Sequence, residues 1–243
     1  MAIEQLSSSE VLYGSLSFTF VIISLIIGII ILLKYFKYKY QALVTTSLTW
    51  ILMTSGWWRI TINFPLVILF DTEVPHTFGR IIDSVFIPVA IMCWMYTFST
   101  LCYPQYRKHL LSVYLIVCIV YEIILIYLIF TNPESIIIII SPFNSKYTMI
   151  PYIFSIFAIL TFLVTGALFT RLSLKSEDPK IRLKGKFLLI AFILFTIGAI
   201  FDAGVMMDVF TLILVRIILI ASAFSYYLGF LLPEKIANAF IKE

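Results

Sequence analysis

The chain is dominated by long apolar runs without a break, such as SLIIGIIILL over 24–33 and FLLIAFILFTIGAI over 187–200. A membrane strand alternates apolar and polar residues over ~10 positions, so these runs are incompatible with a β-barrel. A helix needs ~20 apolar residues to cross ~30 Å of hydrocarbon, and these runs fit that requirement. Breaks in hydrophobicity mark seven such segments, at about 11–33, 42–63, 81–102, 110–130, 148–170, 187–207 and 210–231. The expectation is an all-α, multi-pass protein of the cell membrane: one seven-helix transmembrane domain spanning residues 1–243. Composition agrees. Hydrophobic residues make up 62% and charged residues 12%, against ~45–50% and ~25% in soluble domains. That argues against a soluble enzyme, a disordered chain and a nucleic-acid-binding protein.

The basic residues set an expected orientation. One series of loops holds Lys34, Lys37, Lys39, Arg107, Lys108, Arg171, Lys175, Lys180, Arg182, Lys184, Lys186, Lys235 and Lys242. The opposite series holds Arg80 and Lys146, and Arg59 and Arg216 fall within spans. Cytoplasmic loops carry the excess of Lys and Arg, so the amino terminus is expected outside and the carboxyl terminus inside. The opening MAIEQLSSSE has no basic residue. Secretory signals carry a positive n-region, so the first run reads as a retained span.

Ionisable residues inside a bilayer are costly, and they face a protein interior or a wet cavity. Five fall in the expected spans: Arg59, Asp83, Glu122, Asp202 and Arg216. At ~1.5 Å per residue, all lie at middle-to-outer depth. Asp202 and Arg216 flank a very short turn at nearly equal depth, which predicts an ion pair between neighbouring antiparallel helices. The set reads as a structural ion-pair network, as an outward-opening polar pocket, or as part of a conduction path. Few polar groups continue into the inner half, which favours a pocket over a pore. Trp57 and Trp58 flank Arg59, and Trp94 lies in the third span. Rings beside a cation line ligand sites, although Trp more commonly anchors spans or fills helix contacts.

Further features are less specific. The stretches LVILF (66–70) and IIIII (136–140) lie in expected outer loops. They read as lids, interfacial helices, contact surfaces or span extensions. Ala221, Ser225 and Gly229 form a small-residue stripe that permits close helix approach, and Pro88 is expected to kink the third span. The expected cytoplasmic loop 171–186 carries Arg171, Lys175, Lys180, Arg182, Lys184 and Lys186. Such clusters attract anionic lipid headgroups, and docking of a cytosolic signalling partner is the alternative. Only His76 and His109 are present, and the expected topology puts them on opposite faces. No metal, haem or other cofactor is therefore expected, and no catalytic motif occurs.

The exit from the last span reads SYYLGFLLPEKIANAF, from Ser225 to Phe240. This aromatic helix end, Gly-Phe, Pro and short amphipathic continuation resembles the exit of seven-helix sensor regions at the front of some prokaryotic histidine kinases. In that family the following helix leads to cytoplasmic signalling domains. Here the chain ends at Glu243, so the resemblance implies a sensor without an attached output domain. It transfers no ligand residues. The sequence-level expectation is thus a non-catalytic sensor or receptor-like module of the lipid bilayer. A non-catalytic subunit of a membrane complex and a small-solute transporter are the alternatives.

Overall fold

The computed structural model describes residues 6–204 and 208–241. The first five residues, with Glu4, the turn expected between the last two spans at 205–207, and the terminal Lys242 and Glu243 lie outside the described residues. Helix α1 covers Ser8–Tyr38, α2 Gln41–Met53, α3 Trp58–Phe70, α4 His76–Ser84, α5 Phe86–Cys102 and α6 Arg107–Thr131. A hairpin of β1 (Ile137–Ser141) and β2 (Asn144–Tyr147) follows. Then come α7 (Met149–Leu174), α8 (Pro179–Gly204), α9 (Val209–Leu231) and the short α10 (Glu234–Phe240). Among the described residues, six stretches are long and apolar enough to cross a membrane: Ser8–Tyr38, His76–Cys102, Pro104–Thr131, Met149–Leu174, Pro179–Ala203 and Val209–Leu231. The protein is a helical, multi-pass membrane protein.

The expected second span, 42–63, is not one helix. It breaks into α2 and α3, of 13 residues each, joined by a 3₁₀ turn over Thr54–Trp57. Each half rises only ~20 Å, less than the hydrocarbon thickness. The break falls on Thr54, Ser55 and Gly56, residues with weak helix preference. The Thr54 hydroxyl donates to the Ile51 carbonyl at 2.7 Å, bonding to the backbone of its own helix turn. The two halves still traverse the bundle together. Gln41 accepts from Tyr96 near the end of α5, while Asn63 donates to Pro142 in the hairpin.

The expected third span is also interrupted, between α4 and α5 at Val85. Proline cannot donate to the carbonyl four residues earlier and its ring clashes there. For Pro88 that carbonyl belongs to Ser84, where α4 ends.

The expected loop at 171–186 is almost entirely helical, with only 175–178 outside α7 and α8. Arg171 lies in the last turn of α7, and Lys180, Arg182, Lys184 and Lys186 lie in the first turns of α8. Basic residues at the ends of apolar helices extend them beyond the hydrocarbon, so hydropathy alone placed the boundary too early. The IIIII stretch is no helix extension: Ile137–Ser141 pairs antiparallel with Asn144–Tyr147. LVILF, in contrast, simply continues α3.

Aromatic packing joins the helices. Trp50 stacks on Tyr226 with centroids 4.2 Å apart, and Trp94 packs against Phe162 and Phe192. Within the small-residue stripe of α9, Gly229 sits against α8. A Cβ there would lie 2.3 Å from Leu188 Cγ and 3.1 Å from its backbone nitrogen. The Gly229 end of the stripe serves packing inside the bundle.

Candidate functional site

The hairpin lies at the end of the bundle where α1 and α9 begin and α8 ends. Its tip, Pro142–Phe143, is driven inward: Phe143 is fully buried with Ile60 and Val67. Gly14 makes room for this wedge, since a Cβ there would come 2.8 Å from Phe64 and 3.3 Å from Phe143. Two charged groups hold the tip. Buried Arg59 donates through Nε to Asp83 at 3.1 Å, and its backbone N–H donates to the other Asp83 oxygen at 3.1 Å. Arg59 Nη1 then donates to the Pro142 carbonyl at 3.0 Å.

Asn63 reinforces this clamp. Its side-chain nitrogen donates to Pro142 at 2.9 Å, and its oxygen accepts from the Val74 N–H at 2.8 Å. Arg80, assigned by sequence to a loop, is buried on α4 and donates to the Ile137 carbonyl at 3.2 Å. The Tyr147 hydroxyl donates to the Asp83 carbonyl at 3.1 Å. The hairpin is therefore tied to α3 and α4 at both strands and at its turn.

A second polar centre forms around Asp202 on α8. Arg216 Nη2 of α9 donates to its Oδ1 at 2.8 Å, as their expected depths require. Trp57 Nε1 donates to the other oxygen and the Tyr13 hydroxyl to Oδ1 at 3.5 Å. The Arg216 guanidinium also lies over the Tyr13 ring, 4.9 Å from its centroid. Four elements thus converge on one carboxylate.

A cavity of about 630 Å³ opens beside this centre. Asp202, Tyr13, Trp57 and Gly56 contribute to its wall, and Asn144, Lys146 and Tyr147 of the hairpin cover one side. Apolar residues including Met53, Ile159 and Phe195 complete it. Beyond Phe195 the interior is filled by Trp50, Trp94, Phe162, Phe192 and Tyr226, each at most 2% exposed.

The five charges expected within spans therefore do not form one site. Arg59–Asp83 is the hairpin clamp, Arg216–Asp202 borders the cavity, and Glu122 stands apart on α6. Trp57 joins the cavity wall. Trp58 donates instead to the Thr54 hydroxyl at 3.2 Å and packs on Phe86. Trp94 belongs to the aromatic core, donating to Thr165 at 2.6 Å. At the basic end, Arg171, Lys175, Lys180, Arg182 and Lys186 are exposed, but Lys184 is half-buried and donates to the Phe230 carbonyl at 3.3 Å. Sequence reading missed Tyr13, Asn63, Arg80 and Tyr147. Only the polarity of Asn63 in an apolar run was a usable signal.

Compared with known proteins, the chain matches no family model, no curated protein and no solved structure.

Proposed function

We propose that the protein is a non-catalytic, receptor-like membrane module that binds a small amphipathic molecule in the Asp202 cavity. One observation carries this reading: a cavity of about 630 Å³ sits against a buried ion pair and ends on a packed aromatic floor. Ligand pockets combine mostly apolar walls with a few placed polar groups at volumes of roughly 300–1,000 Å³. The filled interior beyond Phe195 supports a pocket over a transport path.

In this reading the broken α2–α3 segment is a seventh crossing of the cell membrane. Backbone freed inside a membrane needs partners in the protein, and the 3₁₀ turn at Thr54–Trp57 lies within the bundle. The hairpin end faces outward and the exposed basic residues around 171–186 face the cytoplasm, where they meet anionic lipid and a signalling partner. The resemblance of Ser225–Phe240 to sensor exits of histidine kinases supports the same direction of signalling.

The test fills the cavity. Ala199 lines it and is buried, so Ala199→Phe puts a ring where the ligand would sit. Native mass spectrometry of the protein extracted in lipid nanodiscs is expected to show one small molecule bound to wild type and none to the variant. Wild type emerging without such a molecule, with the variant merely more heat-stable, would identify a dry structural void and end the proposal.

A further inference from the structure

Helix α6 is the least covered of the six apolar stretches. Only 22% of its most apolar window is buried, against 39–50% in the other five. One stripe, Cys118, Tyr121, Leu125 and Ile129, faces the bundle, where Tyr121 stacks on Phe154 with centroids 3.6 Å apart. The remaining circumference is exposed and apolar, with Ile116 and Ile123 each 63% exposed and Phe130 77%.

Glu122 interrupts this surface. It sits ~14 Å from the Thr131 end and ~22 Å from the Arg107 end, well within the apolar length of the helix. It is itself half-buried, at the border of the buried stripe: of its neighbours three and four residues away, Cys118 and Leu125 are buried, and Ile119 and Ile126 are 47% and 48% exposed. Among the described residues, no hydrogen bond or ion pair involves its carboxyl group. A carboxylate half-buried at the edge of an apolar face without a partner is costly, and intramembrane carboxylates pair with cations or donors.

Among the described residues, this chain offers no such cation at that depth on its lipid-facing surface. Arg59, Arg80 and Arg216 are buried and already bonded within the fold. In a symmetric pair of copies joined through α6, Glu122 would meet its own equivalent or an aliphatic face. A cation at matching depth has to come from a different chain. We infer that the α6 face around Glu122 docks a transmembrane helix of another protein that carries a Lys or Arg at matching depth. This contact shares no residue with the cavity, so it stands or falls separately from the ligand reading.

The probe is a synthetic Leu/Ala helix of about 20 residues with a single Arg placed ~14 Å from one end. A control helix carries Leu at that position. Energy transfer between labelled full-length protein and labelled helix is measured in phosphatidylcholine vesicles. The Arg helix is expected to associate about tenfold more tightly than the Leu helix, the size of a good polar contact between membrane helices. Glu122→Leu should abolish the preference without lowering the melting temperature, because Glu122 makes no hydrogen bond or ion pair within the fold. Glu122→Gln, nearly isosteric, should lose most of it and serves if the Leu variant fails to fold. Equal binding of both helices, or binding of neither, would overturn the inference and leave Glu122 a neutral acid in lipid. Self-association of wild type that Glu122→Leu removes would overturn it in favour of a second copy.

Discussion

Asp202 illustrates how much one carboxylate can organise. It accepts from Arg216, Trp57 and Tyr13, which come from α9, the 3₁₀ turn and α1. Arg216 is fully buried, and its Nε and Nη1 have no hydrogen-bond partner in the structure, so Asp202 is its main source of compensation. Removing one member of a buried pair strands the other charge and costs about 3–5 kcal/mol, whereas replacing both by apolar groups is often close to neutral. Asp202→Ala should thus lower stability by about 3–5 kcal/mol. Adding Arg216→Met should recover much of the loss, read by denaturant unfolding of the two single variants and the double variant. A double variant no more stable than Asp202→Ala would show that the pair is not the source of the cost.

At the scale of elements, the informative features are the interruptions. The breaks at Thr54–Trp57 and at Val85 create the places where Arg59, Asp83 and the hairpin meet. Asn63→Ala should leave the buried Val74 N–H without its acceptor and Pro142 with one donor fewer. The expected cost is about 1–3 kcal/mol, with faster hydrogen exchange at Val74 and along β1–β2. Exchange unchanged at both places would mean that the hairpin is held without Asn63.

Tyr147 adds a pH limit to the same clamp. Burial first, and the Asp83 carboxylate second, push its phenol well above the ordinary range. Its folded pKa is raised, so the contribution is complete below the unfolded value of ~10 and is lost as pH rises beyond it. Melting temperature should fall above about pH 10 in wild type. The Tyr147→Phe variant should lack that part of the fall.

At the scale of the molecule, the arrangement predicts a sidedness that chemistry can read. With Cys93, Cys102 and Cys118 replaced by Ser, single cysteines at Lys146→Cys and Lys175→Cys report the two ends of the bundle. A membrane-impermeant maleimide added to intact cells should label the first, and the second only after permeabilisation. Labelling of both from outside would exclude a crossing by α7 and with it the assigned orientation.

Much of this architecture was legible in the residues. Uninterrupted apolar runs are governed by one local rule, the absence of water for backbone groups in hydrocarbon, so six of the seven expected spans could be read without knowing their neighbours. The Asp202–Arg216 pair was also legible, because a short connection and equal depth leave two charges little choice of partner. The Arg59–Asp83 pair was not. It depends on where α3 and α4 cross, and it holds the Pro142 carbonyl, 83 positions along the chain from Arg59. Nor could IIIII be recognised as a strand, since five isoleucines suit helix and strand alike until Asn144–Tyr147 supplies a partner. By itself, then, the sequence determined that this protein lives in a membrane and six of the seven stretches expected to cross it, the seventh, 42–63, being broken in the structure. The tertiary structure alone decided which charges meet, which carboxylate is left half-buried without a partner on α6, and where an open volume survives. Burial and pairing are properties of neighbours, and the chain does not bring those neighbours together until it folds.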